Sequence, residues 1–252
     1  MIFRPRLGWL KDLPDRRDHV YGAPSPLLAR LPPRVDLSPS CPPVYDQGHL
    51  GSCTANALSA SLQFLQKKQR QSAFLPSRLY IYYNERSMEG TIQSDAGAQL
   101  RDGIKAVNRW GACKESMWPY EVERFATRPG QDCYEEGLCH QALAYQRVTQ
   151  NLAQMKGCLA AGFPFVFGFV VFESLLSPKV AKSGEAPMPQ SGEQPQGGHA
   201  VMAVGYDEAR QRFLIRNSWG KRWGRKGYFS LPYAYLTEAG MAADFWTIRL
   251  VE

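Results

Sequence analysis

The apolar residues of this chain recur with one period in its first half and another in its second, and that change limits the folds open to it. From Cys53 onward, Ala55, Leu58, Leu62 and Leu65 fall at helical spacing. Lys67, Lys68 and Arg70 then supply the cations that suit a helix C-terminus. The same reading predicts helices over Ser77 to Arg86 and over Ala98 to Trp110, the latter stopped at Gly111. Beyond residue 160 the pattern becomes short β-branched and aromatic runs between turn residues: Phe165 to Phe172, His199 to Tyr206, Phe213 to Asn217, Gly227 to Leu231 and Phe245 to Leu250. Helices in one half and antiparallel strands in the other predict an α+β protein whose halves pack as lobes, with the cleft between them as the natural site.

A chain of 252 residues buries one large core or two modest lobes without a disulfide framework. With 44% hydrophobic and 21% charged residues, it falls among soluble globular proteins rather than disordered or membrane ones. The stretch from Met1 to Lys11 carries Arg4, Arg6 and Lys11 and holds no uninterrupted apolar run, so neither a Sec signal peptide nor a membrane span is expected. The expected location is cytoplasmic, or outside the cell by a non-Sec route.

The net charge of +7 comes from Lys and Arg interleaved with Asp and Glu, which predicts a basic surface and not a nucleic-acid groove. One basic cluster stands out: Lys221, Arg222, Arg225 and Lys226, threaded with Trp219 and Trp223. It reads as a solvated loop around structural tryptophans, against the alternative of stacking on a single strand. The six cysteines show no C-x-x-C pair, so no metal and no cofactor is expected. Whether Cys133 and Cys139 pair stays open, because spacing does not show whether their Cβ atoms approach.

Residues 1–40 hold Pro5, Pro14, Pro24, Pro26, Pro32, Pro33 and Pro39 without an apolar period, and read as an extended segment on the surface of the domain formed by residues 41–252. The polar stretch from Ser177 to Gly198 is long for a connection and runs into His199. A lid over a site and an inert insertion are both open readings.

A cysteine at a helix N-terminus meets exposed N–H groups and the positive end of the macrodipole, both of which favour its thiolate. Cys53 holds that position after Gly51-Ser52, although a cysteine there is also at home as a small buried hydrophobe. His199 opens an alternating strand, with Val201 and Ala203 on one side and Met202 and Val204 on the other. Paired with a thiol, it would deprotonate the nucleophile and later protonate a leaving amine. Asn217 ends the next strand, where its side-chain oxygen would fix one imidazole tautomer. Alone it is an ordinary turn residue.

Together these residues resemble the papain family (C1) of cysteine peptidases. The similarity rests on Gln47-Gly48-His49-Leu50-Gly51-Ser52-Cys53, on Gly198-His199-Ala200-Val201 with Val204-Gly205-Tyr206, and on Asn217-Ser218-Trp219-Gly220 with Trp223-Gly224 and Gly227-Tyr228. The interval from Cys53 to His199 lies within the roughly 130–150 residues usual for that family, with Asn217 slightly beyond. Weaker similarity runs through Pro32 to Asp36, Trp110 to Tyr120 and Gly162 to Pro164. The resemblance implies a two-lobed fold, with a helical N-terminal lobe starting at Cys53 and an antiparallel β-barrel-like C-terminal lobe bearing His199 and Asn217.

It implies an endopeptidase working through an acyl-thioester at Cys53, His199 and Asn217. Gln47 would serve the oxyanion and Trp219 would shield the Asn–His bond. Gly97 and Ala98, Gly198 and Ala200, and Met241 to Asp244 would border the substrate, and Asp244 or Glu238 would draw basic side chains. The partner is a peptide or protein, with no nucleic acid and no membrane.

Leu50 and Thr54 stand where the family has a Cys and a Trp, which points to a divergent, prokaryotic branch. The long helical propeptide of the family is not matched by residues 1–40. Gly8 to Leu31 is expected to occlude the cleft as a short inhibitory segment, against the alternative of a packing tail. Two further readings keep the same residues: a transpeptidase or amidase, since an acyl-thioester accepts any nucleophile, and an idle binding protein.

Overall fold

A computed structural model describes residues 5–252. Residues 1–4, which include Arg4 and the beginning of the 1–40 extension, lie outside the described residues. In chain order the elements are β1 (Trp9–Leu10), β2 (Val20–Tyr21), α1 (Ser25–Leu28), β3 (Arg34–Asp36), α2 (Cys53–Lys68), α3 (Arg78–Glu89), β4 (Ala98–Gln99), α4 (Leu100–Trp110), α5 (Gln131–Gly137), β5 (Ala142–Val148), α6 (Leu152–Ala160), β6 (Phe165–Phe172), α7 (Pro178–Ser183), β7 (Pro195–Asp207), β8 (Arg212–Arg216), β9 (Tyr228–Pro232), α8 (Tyr233–Thr237) and β10 (Ala242–Val251).

The three helices expected in the first half are present. α3 begins where the Ser77 side chain accepts the N–H of Tyr80, and ends at Gly90, whose φ of 71° suits a residue without a Cβ. α2 is the central element, packed on α3 and α4 on one side and on β7 and β10 on the other. Its small residues Ala55, Ala57, Ser59, Ala60 and Ser61 are all buried, which lets both lobes approach the helix closely.

The sheet alternates as its sequence requires. On β6, Phe165, Phe167 and Phe169 enter the core of the C-terminal lobe with Phe213 and Phe229, while Val166 faces the core around α2. Each such phenylalanine, fully buried, contributes roughly 1.5–3 kcal/mol. β7 divides in the same way: Val201 and Ala203 join the phenylalanines, and Ala200, Met202 and Val204 face the helices.

The β-barrel-like C-terminal lobe is corrected by the sheet order, which runs β2-β5-β10-β6-β7-β8-β9 without closing; β3 pairs with β7 off this path. Closure would require the two end strands to pair. The outer edge of β9 is instead taken by residues 184–186, where the Ser230 N–H donates to Gly184 O and the Ala186 N–H to Ser230 O. At the other end β2 is two residues long and lies parallel to β5. The lobe is therefore a mixed, open sheet covered by helices.

Two segments are more ordered than their composition suggests. Between Ser177 and Gly198, Ser177 caps α7 by accepting the Val180 N–H, Pro178 opens the helix and Gly184 ends it. β7 then starts at Pro195, pairing Gly197 and Gly198 with Val171 and Val170. The extension contributes β1, β2, α1 and β3, and buries Trp9, Asp12, Tyr21 and Ala23, so it is woven into the fold and not only laid on its surface.

Candidate active site

Cys53 is the first residue of α2 and is fully buried. The backbone N–H groups of Ala200, Gly8 and Thr54 hydrogen-bond its thiol and favour the thiolate, but burial outweighs them and pushes the thiol up to about 12. The Ala200 N–H at the thiol shows that β7 reaches the helix terminus, with His199 the preceding residue on that strand.

His199 is also fully buried. Its Nε2 lies 2.8 Å from Asn217 Oδ1, while Nδ1 is buried without a hydrogen-bond partner among the described residues. The Trp219 indole stacks on the imidazole with centroids 4.5 Å apart and planes at 24°, and the Phe169 ring meets it edge-on at 5.8 Å. Trp223 in turn packs edge-on against Trp219 at 4.8 Å. Loss of water from this aromatic box lowers the imidazole to about 4, with the Asn217 bond opposing the shift. Near neutral pH the covered site thus holds a neutral thiol and a neutral imidazole.

Gln47 lies at the same terminus. Its Nε2 donates to the carbonyl oxygens of Leu50 (2.9 Å) and Arg6 (3.0 Å), and its Oε1 accepts from Ser218 Oγ at 2.7 Å. Ser218 was not singled out from the sequence, although it follows Asn217 and so lies beside the site. Asn217 Oδ1 also accepts the Ser218 N–H at 2.8 Å, which holds the amide with its oxygen toward the ring.

The expected substrate-bordering residues converge, and they converge on residues 6–12 of the same chain. The Ala98 N–H donates to Gly8 O at 2.8 Å, and β1 pairs in parallel with β4 through Trp9–Ala98 and Leu10–Gln99. A Cβ on Gly97 would lie 2.2 Å from Gly8 O, and one on Gly8 would lie 1.9 Å from Gly51 O. The Trp9 indole lies on Gly168 and Gly198, where a Cβ would come within 1.9 and 2.4 Å of Trp9 atoms.

Its Nε1 donates to Asp244 Oδ2 at 3.2 Å, which also accepts the Asp12 N–H at 2.8 Å. Asp244 Oδ1 pairs with Arg147 Nη2 at 3.0 Å. Glu238 is exposed at the C-terminus of α8. Behind residues 6–12 Arg147 reaches Asp18 at 3.1 Å, and Arg101 forms a bidentate pair with the same carboxylate. Neither Arg101 nor Arg147 was singled out from the sequence, because their partners lie far away along the chain.

Thr54, in place of the expected tryptophan, donates from Oγ1 to Glu85 Oε2 at 2.6 Å, and burial holds that carboxyl well above the usual carboxylate range. All six cysteines are free; Cys139 is exposed and Cys133 buried. Among the described residues no group of three or more His, Cys, Asp or Glu side chains is arranged to hold a metal, and no helix is long and apolar enough to cross a membrane.

The sequence profile of the papain family cysteine proteases matches residues 31–247. An uncharacterised peptidase C1-like protein of Acanthamoeba polyphaga mimivirus is 41% identical over 269 aligned positions, covering 97% of this chain and 86% of that protein. A cathepsin B-like protein of Giardia intestinalis is 30% identical, covering 77% of this chain and 65% of its own length. Among solved structures, xylellain, a cysteine protease from Xylella fastidiosa, superposes with a TM-score of 0.93 at 42% identity, covering 98% of this chain and 97% of that one.

Proposed function

The chain belongs to the papain family of cysteine proteases and hydrolyses peptide bonds, and from that premise we propose that Cys53 is its nucleophile, His199 its base and acid, and Asn217 the group that orients the imidazole. The observation that carries the assignment is the fixed tautomer. With Nε2 held by Asn217 and the ring face covered by Trp219, Nδ1 is the nitrogen left to exchange a proton, and the N–H of the next residue, Ala200, hydrogen-bonds the Cys53 thiol.

His199 Nδ1 takes the Cys53 proton as the sulfur adds to the substrate carbonyl carbon. The oxyanion that forms takes hydrogen bonds from Gln47 Nε2 and the Cys53 backbone N–H. On collapse the C–N bond breaks, and His199 returns its proton to the departing amine. A water deprotonated by the same nitrogen then adds to the thioester, the C–S bond breaks, and the sulfur recovers a proton.

Residues 6–12 act as an inhibitory strap within the 1–40 extension. The Arg6 carbonyl takes the Gln47 donor, Gly8 and Trp9 fill the channel along Gly97, Ala98, Gly198 and Ala200, and the indole occupies the pocket beside Asp244. The rest of the extension is structural, since Tyr21 and Ala23 belong to the core. Iodoacetamide labelling followed by peptide mapping tests the nucleophile. Modification confined to Cys53 in a Gly8→Ala variant, and abolished by adding His199→Ala, is the expected result; equal labelling of several cysteines would overturn it.

A further inference from the structure

The basic loop after Asn217 has a place beside the site that hydrolysis alone does not explain. Trp219 has one face on His199, and Trp219 also lines a cavity of about 560 Å³ together with Val44, Asp46, Lys221, Arg222 and Trp223. Lys221 and Arg222 are exposed, and no ion pair is found for either among the described residues. Elsewhere on this surface cations are commonly paired: Arg210 and Arg225 share Glu185, and Lys156 holds Glu208. Asp46 is the acidic residue in the cavity, and its Oδ1 already accepts the Gly48 N–H at 2.9 Å. Two cations therefore outnumber one partly engaged carboxylate.

The direction of the reaction says which part of a substrate meets this cavity. The departing amine must lie within reach of His199, because His199 protonates it. The acyl portion lies on the other side, along Gly97, Ala98 and the pocket that Trp9 fills. The chain beyond the scissile bond thus leaves past His199 toward the cavity that Trp219 lines.

We infer that Lys221 and Arg222 select substrates carrying acidic side chains in the first residues after the scissile bond, with the Trp219 and Trp223 rings as the floor on which that segment lies. The inference rests on the Cys53–His199 assignment and adds a substrate class to it. Paired charges at such a rim act mainly on encounter and selectivity, and are screened by salt.

The test compares two internally quenched peptides that differ only in having Glu-Glu or Lys-Lys after the scissile bond, together with a coumarylamide that has no peptide beyond it. The full chain carrying Gly8→Ala should cleave the Glu-Glu peptide with a kcat/KM about tenfold above the Lys-Lys peptide, a ratio that shrinks toward one in 0.5 M salt. Lys221→Glu with Arg222→Glu should reverse the preference and leave coumarylamide cleavage unchanged. Equal cleavage of both peptides alongside normal coumarylamide turnover would overturn the inference while leaving the Cys53 assignment intact. Loss of Cys53 labelling and of turnover on all three substrates would overturn the assignment itself.

Discussion

The side-chain amide of Gln47 donates a 3.0 Å hydrogen bond to the carbonyl oxygen of Arg6, a residue of the same chain lying 41 positions earlier. That donor is the one proposed to hold the oxyanion during catalysis. A carbonyl already at that position competes directly with a substrate carbonyl, so the strap and a substrate exclude each other through the group that matters most to the reaction rate.

Gly8→Ala should activate the enzyme. The added Cβ would come within 1.9 Å of the Gly51 carbonyl oxygen, a backbone atom at the helix entry, so the strap must lift. Gly8 touches none of the groups assigned to the chemistry except through the thiol it covers. The expected outcome is at least a tenfold rise in kcat/KM on a coumarylamide peptide, read from initial rates; a fall, or no change, would count against an inhibitory strap.

Asp18→Ala should both destabilise the fold and loosen the strap. Its carboxylate binds Arg101 through two nitrogens and Arg147 at 3.1 Å, and the Arg101 side chain is only 6% exposed. Removing one member of a buried ion pair strands the other, typically at about 3–5 kcal/mol. Thermal unfolding and coumarylamide turnover measured together should show a lower melting temperature with a higher basal rate at 25 °C.

Acid should cost this protein stability through His199. Its imidazole is held down to about 4 by burial, against an ordinary value near 6.5. A folded value below the unfolded one means that the native state resists taking up the proton. Its contribution is therefore complete above pH 6.5 and is lost as the pH falls from there to 4. The loss is roughly 3 kcal/mol over that window. Urea unfolding at pH 7.5 and 4.5 should show a smaller loss for His199→Gln than for the wild type; equal losses would refute the linkage.

The strands, the helices and the candidate Cys–His–Asn site were readable because each has a local signature: a period, a cap, or a motif around the proposed residue. β6 matches its predicted span, and α3 follows Ser77 as a capped helix should. An open sheet was not readable, because closure depends on whether β2 and β9 meet, and no local pattern encodes that pairing. α7 was passed over even though Ser177-Pro178 and Gly184 are ordinary start and stop residues; the polar composition around them masked six helical positions. Arg101 and Arg147 were beyond reach for a different reason. Their roles exist only once Asp12, Asp18 and Asp244, widely separated in sequence, are folded onto them.

The pocket beside Asp244 should prefer an aromatic side chain over a basic one, which reverses the expectation drawn from an acidic residue there. Asp244 is buried, and one of its oxygens is already bound to the Arg147 guanidinium at 3.0 Å. A second cation entering with the substrate would meet a carboxylate already paired with a guanidinium, and would give up its own water to do so. The indole of Trp9, by contrast, fits between Gly168 and Gly198 and needs one hydrogen bond from Nε1 to Asp244.

A peptide with Trp or Phe two positions before the scissile bond presents the same shape, and apolar area of that size is worth a few kcal/mol on transfer from water. Coumarylamides with Trp, Phe, Arg and Lys at that position, assayed on the Gly8→Ala variant, should rank the aromatics at least tenfold above the bases in kcat/KM. Arg147→Ala should narrow that gap by leaving the Asp244 carboxylate without its guanidinium partner. Arg cleaved as fast as Phe in the Gly8→Ala variant would show that the carboxylate, and not the indole-shaped space, governs the pocket.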